Sequence, residues 1–156
     1  MVLVSPGGWR SLWHGAVGVI GDYRFTGAGL GSTTMVLSTY VYLLHGGYIS
    51  NVHNIYLALA LEQGLPGLIA FLFLMLTAGA ALVRAARRGV APLPIQGAIA
   101  AALVALLAHG LVDAALYASR LAPLIFVPVG LAWAAGGRVH GRTLEAKGRR
   151  LLLAMT

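Results

Sequence analysis

Charge is what this chain has least of. Only 10% of its 156 residues are Asp, Glu, Lys or Arg, against about a quarter in an ordinary soluble domain. That is too few to coat a water-facing surface of this size. With 59% hydrophobic residues and a mean hydropathy of +0.84, the composition is that of an integral membrane protein. Cysteine is absent, which excludes a disulfide framework, thiolate chemistry and cysteine-ligated metal sites. Acidic residues number four, Asp22, Glu62, Asp113 and Glu145. None forms a paired-carboxylate motif such as Asp-x-Asp, so nothing in the pattern is suited to hold Mg²⁺. The N-terminus "MVLVSPGGWR" lacks a basic segment followed by a long apolar core and does not read as a signal peptide.

Three apolar segments are candidate spans: residues 65–83, uncharged throughout; residues 95–117; and residues 121–135, with Pro123 near the start and Pro128 inside. A bilayer core takes roughly 20 helical residues, and Pro128 predicts a kink in the third span. The excess of basic residues (net charge +7) gathers at segment ends, a topological pattern that argues against nucleic acid as a partner. Arg84, Arg87 and Arg88 follow the first span, and Arg138, Arg142, Lys147, Arg149 and Arg150 follow the third. The positive-inside rule assigns that side to the cytoplasm. Residues 1–64 then form an extracytoplasmic region, 65–137 the membrane domain and 138–156 a basic cytoplasmic tail. An external region of this length with no span ahead of it to carry it across suggests the C-terminal part of a longer polytopic protein.

Inside the external region, "SLWHGAVGVIGD" reads as a short amphipathic helix with Leu12, Ala16, Val19 and Ile20 on one face. A glycine-rich loop, "TGAGLGSTT", follows. No strand precedes it, so a dinucleotide site is excluded, and it is expected to be a tight turn against the bilayer. "MVLSTYVYLLHGGYI" is too short to span and is expected to be interfacial or re-entrant. "NIYLALALEQ" is a second short helix, with Asn51 as candidate N-cap, Gly64 closing it and Pro66 opening the next. The Gly64-Leu65-Pro66 break thus reads as a corner between an interfacial helix and a span.

The stretch "HNIYLALALEQGLPGLIAFLFLML" resembles the signature of the O-antigen ligase and O-antigen polymerase superfamily: His-Asn, an apolar helix, Glu-x-Gly, then Gly and a span. Upstream, "WRSLWHGAVGVIGDYRFTGAGLG" resembles the family's Arg, Trp, short helix, Asp and Gly-x-Gly. Downstream, "HGLVDAALY" is similar to a weaker element at the outer end of the next helix. The resemblance extends over most of residues 9–135, and the order of its elements makes it specific. Two features depart from it. Arg24 stands where the family often has proline, and the family's N-terminal spans, with a further phosphate-holding arginine, are not in this chain.

The resemblance implies an all-α, GT-C-like polytopic fold in a bacterial cytoplasmic membrane, with the active side periplasmic. It implies transfer of a glycan from a polyprenyl (undecaprenyl) diphosphate carrier to a hydroxyl acceptor, such as lipid A-core, without metal or cofactor. Polymerisation of a polysaccharide and O-glycosylation of protein share the same signature. Under it, His53 is the candidate general base and Arg10 the candidate diphosphate clamp, since arginine's planar fork suits phosphate oxygens when no metal is present. Asn54, Glu62, Asp113 and Arg24 are supporting candidates. The competing reading makes His53 and Asn54 a helix cap and Arg10 and Arg24 headgroup or solvated charges. Glu62, nine residues beyond His53, is half a turn out of phase with it, so the two share no helical face. His109 and Asp113, four apart, make a local pair. A transporter fragment or an inert membrane remnant are the alternatives of other classes. The near absence of polar residues in the first span speaks against transport.

Overall fold

The computed structural model describes residues 8–40, 52–89, 91–114 and 122–137, with side chains in the first stretch described from residue 12 to 37. Asn51, Arg120 and the basic tail from Arg138 onward lie outside the described residues, as does the end of the expected second span. Among the described residues every regular element is helical: α1 (Gly8–Asp22), α2 (Thr33–Tyr40), α3 (Ile55–Arg87), α4 (Leu93–His109) and α5 (Ala122–Gly137), which opens as a 3-10 turn at Ala122–Ile125. By length and composition, α3 is long and apolar enough to cross a membrane. The chain divides into two compact units.

The first unit comprises residues 1–72 and 107–122. Its helix α1 is amphipathic as the spacing predicts, with Ala16 and Val19 fully buried and Val17 on the opposite side exposed. Helix α2 packs on α1 and buries Leu37 completely. The organising feature is the corner in α3. Gly64 stands at φ 72°, ψ −179°, a region open essentially to glycine alone, and Pro66 follows with no N–H to offer. An unbroken helix would return the Leu65 N–H to the Leu61 carbonyl, and residue 66 would return one to Glu62. The loop after α1 replaces both bonds. Ala28 N–H donates to the Leu61 carbonyl (2.8 Å) and Gly29 N–H to that of Glu62 (3.1 Å), while Leu65 N–H donates to the Arg24 carbonyl (2.8 Å). The two carbonyls and the N–H that the kink frees are thus paired again. The fit excludes side chains on both partners. A Cβ on Gly27 (φ 68°) would lie 2.2 Å from the Glu62 carbonyl oxygen, and one on Gly64 would lie 2.9 Å from Gly27 N. The glycine loop is therefore a clasp on the α3 corner. Its amides at Ala28 and Gly29 are committed to α3 and form no phosphate cradle.

The second unit comprises residues 73–106 and 123–156. Along α3 the buried positions Met75, Ala78, Ala81, Leu82 and Ala85 form one stripe, while Phe73, Leu76 and Val83 are exposed. Small residues let backbones approach closely. A Cβ on Gly136 of α5 would lie 3.0 Å from that of Ala81. Helix α5 buries Val129, Ala132 and Ala135 and runs through Pro128 to Gly137. Helix α4 is apolar on all sides and buries Gln96, Ile99 and Leu103. It ends at His109, earlier than the expected span of residues 95–117. At 17 residues it is roughly 26 Å long. The helix closes in a turn through Gly110, in which the Ala108 and His109 carbonyls accept from the N–H groups of Leu111, Val112 and Asp113.

Candidate functional site

His53 occupies the turn that leads into α3, and three anchors fix that turn. Ahead of it, Val52 is fully buried and its carbonyl accepts a hydrogen bond from the Trp13 indole N–H of α1 (3.3 Å). Behind it, Asn54 is the N-cap of α3. Its Oδ1 accepts from the N–H groups of Tyr56 and Leu57, both at 3.0 Å, and its backbone carbonyl accepts the first helical bond from Ala58 (3.0 Å). Of the caps the sequence offers, Asn51 and Asn54, the structure uses Asn54, which stands one residue before the first helical position.

The third anchor is the end of α4. Ile55 N–H donates to the Gly110 carbonyl (2.8 Å), Asn54 Nδ2 to the Leu111 carbonyl (3.0 Å), and the Tyr56 hydroxyl to the Leu107 carbonyl (2.8 Å). One backbone and two side-chain donors at the start of α3 thus meet carbonyls of the last turn of α4 and of the turn after it.

Held this way, His53 has φ 51° and is the one non-glycine residue with positive φ among the described residues. The left-handed region is uncommon for a side-chain-bearing residue, though histidine enters it more often than most, and holding it costs about 1–3 kcal/mol. The result is a directed side chain. His53 Nδ1 lies 3.6 Å from Asp113 Oδ1, and His109 Nε2 lies 3.7 Å from Asp113 Oδ2. Asp113 sits in the turn after α4, its N–H donating to the His109 carbonyl (3.0 Å).

One carboxylate thus faces two imidazoles, one on each oxygen. The side chains are 42%, 31% and 53% exposed for His53, Asp113 and His109. In such a setting an ion pair contributes at most about 1 kcal/mol, so the arrangement orients the rings more than it stabilises the fold. Each imidazole addresses a different carboxylate oxygen, so the three groups do not converge on a common point. No set of three His, Cys, Asp or Glu residues among those described is placed to hold a metal.

The remaining candidates stand elsewhere. Glu62 is buried at 7% exposure and serves α2: its Oε1 accepts from the Thr33 hydroxyl (2.6 Å) and from the Thr33 N–H (3.4 Å). An anionic carboxylate on the first N–H of a helix is favoured by the helix dipole. Arg24 lies in the turn after α1, exposed, with its guanidinium 5.7 Å from the Phe25 ring centroid. Its backbone carbonyl serves the α3 corner. Arg10 belongs to α1, and its side chain lies outside those described.

Sequence reasoning did not bring His53 and Asp113 together. They are sixty positions apart, and only the meeting of the α3 start with the α4 end joins them. It also did not single out Trp13, Tyr56 or Thr33. A Ser-Thr-Thr run straight after glycines was a visible helix-start signal for Thr33.

The chain matches no protein-family model and no curated protein.

Proposed function

We propose that this chain carries the acceptor-activating part of a metal-independent membrane glycosyltransferase, similar to the O-antigen ligases. The donor is a glycan on a polyprenyl diphosphate and the acceptor a hydroxyl at the periplasmic face. The observation that carries the proposal is the placement of His53, in a left-handed turn and facing Asp113 at 3.6 Å. A carboxylate beside Nδ1 favours the tautomer protonated there, which leaves the basic lone pair on Nε2. In the proposed step Nε2 takes the acceptor's proton as its oxygen bonds to the anomeric carbon of the donor sugar. The bond from that carbon to the diphosphate breaks, and the polyprenyl diphosphate departs with the electron pair. Arg10 is the proposed holder of the leaving diphosphate's charge. Asn54 positions His53, and Glu62 acts as a structural carboxylate.

Membrane embedding belongs to the same proposal. Only 28% of the most apolar window of α3 is buried within the protein, while Phe73, Leu76, Leu93 and Val104 are each at least 65% exposed. Apolar side chains this exposed along helices this apolar are unusual in a soluble monomer. Residues 65–87 at 1.5 Å per residue reach roughly 35 Å, enough for a hydrocarbon core of about 30 Å. Helices α4 and α5 are the proposed second and third spans.

The test is the surface glycan of a strain deleted for the complete gene. Polymer still made on its lipid carrier but no longer attached to its acceptor supports the ligase reading. Chains of a single repeat would assign polymerisation instead, and unchanged glycans would refute glycan transfer.

A further inference from the structure

The second unit holds a feature that glycan transfer does not use. A groove of about 560 Å³ is lined by Thr77, Ala81, Arg84 and Arg88 on the α3 side and by Trp133, Gly136 and Gly137 of α5. That volume is within the roughly 300–1,000 Å³ of small-molecule pockets. Arg84 lies in the last turn of α3 and Arg88 just beyond its end, and both line the groove. Among the described residues neither guanidinium has a carboxylate or hydrogen-bond partner. Two unpartnered arginines at one mouth call for an anion, and phosphate oxygens match their fork geometry.

The rest of the groove says what carries that anion. From Arg84 to Thr77 the α3 side of the groove extends about 10 Å along the helix, and between them Ala81 is buried against Gly136. The Thr77 hydroxyl donates back to the Leu74 carbonyl (2.9 Å), so its proton is committed within α3. Trp133 is half exposed beside it, an amphipathic ring of the kind that settles at headgroup level. Two arginines beside a half-exposed tryptophan fit an amphiphile with a phosphate head.

We propose that this groove is a binding site for an anionic phospholipid on the cytoplasmic side, with the headgroup phosphate on Arg84 and Arg88 and the glycerol and acyl portion against Trp133. The inference rests on the membrane reading alone. Lipid retention is measured without any glycan transfer, so the lipid site and glycan transfer can each fail while the other stands. Arginine near a helix C-terminus also complements the helix dipole, but Arg87 does this equally well and does not line the groove. It is the internal control.

The experiment is native mass spectrometry of the full chain, delipidated in detergent and offered phosphatidylglycerol and phosphatidylcholine in competition. Wild type should retain one phosphatidylglycerol in preference. At the typical contribution of a basic residue near an anionic surface, two charges are worth about 30-fold. Arg84→Gln with Arg88→Gln should abolish the preference, whereas Arg87→Gln should leave it. Gly137→Leu should weaken retention with every charge in place, because a Cβ there meets no atom within 4 Å and the side chain grows into the groove. Should the double variant fail to fold, Arg84→Lys with Arg88→Lys reads the loss of the fork. Equal losses in Arg87→Gln and the double variant would reduce the effect to general charge and overturn the proposal. So would displacement by soluble glycerophosphate as effective as by the lipid, or no preference in wild type.

Discussion

Removing the Asn54 side chain should loosen the turn that aims His53, by an amount the structure allows to be estimated in two parts. Its Oδ1 caps α3 through the Tyr56 and Leu57 amides, and losing a cap of this kind costs about 1 kcal/mol. Its Nδ2 ties the turn to the Leu111 carbonyl, and a single net hydrogen bond contributes about 1 kcal/mol more. Asn54→Ala loses both, about 2 kcal/mol, which is roughly a 30-fold rise in local opening. Asn54→Ser keeps a capping oxygen but cannot reach Leu111, so it should lose about half as much, roughly fivefold. Hydrogen exchange at the Tyr56 and Leu57 amides reads this directly, because these are the donors that Oδ1 holds. Protection in Asn54→Ala within twofold of wild type would refute the reasoning. Equal losses in Ser and Ala would refute the cap's share of it.

Three further outcomes follow from the same structure. Glu62→Gln keeps an acceptor for Thr33 and should leave glycan transfer within tenfold of wild type; Glu62→Leu leaves the Thr33 N–H and hydroxyl without that acceptor and should cost about 1–3 kcal/mol in unfolding measurements, while a hundredfold loss of transfer in a stable Glu62→Gln would give Glu62 a part in the chemistry. Gly64→Ala places a Cβ 2.9 Å from Gly27 N and from the Phe25 carbonyl carbon at a glycine-only backbone angle, so it should destabilise by more than the about 1–3 kcal/mol of the angle alone; an unchanged melting temperature would contradict the clasped corner. The chain has no cysteine, so single cysteines at Leu30 and Arg88 report topology cleanly, and they should label from opposite sides with an impermeant thiol reagent; labelling of both from outside would break the three-span arrangement.

Much of this fold was legible one element at a time. Alternating burial on α1 followed from the spacing of Ala16 and Val19, and the α3 corner followed from Gly64 and Pro66, because each removes one component of a helix locally. The phase argument kept Glu62 away from His53, and the structure puts Glu62 on Thr33. What the sequence did not disclose was tertiary. The glycine loop's destination depends on two carbonyls that become free only once the corner forms. The turn that closes α4 is held by Ile55 and Asn54, which take up the Gly110 and Leu111 carbonyls. Asp113 meets His53 for the same reason, so the partner of the most conspicuous histidine was invisible from its neighbours. His109 was readable only as half of an i, i+4 pair.

The central claim is that His53 takes a proton during transfer. General base catalysis contributes about 10²–10⁴-fold, so the decisive measurement is the rate of glycan transfer by the purified, intact His53→Ala protein, with membrane insertion verified. The account predicts a fall of that size, with His53→Gln equally impaired because an amide cannot accept the proton. Transfer within a few-fold of wild type by a correctly inserted His53→Ala protein would contradict it and leave His53 as part of a helix-capping turn.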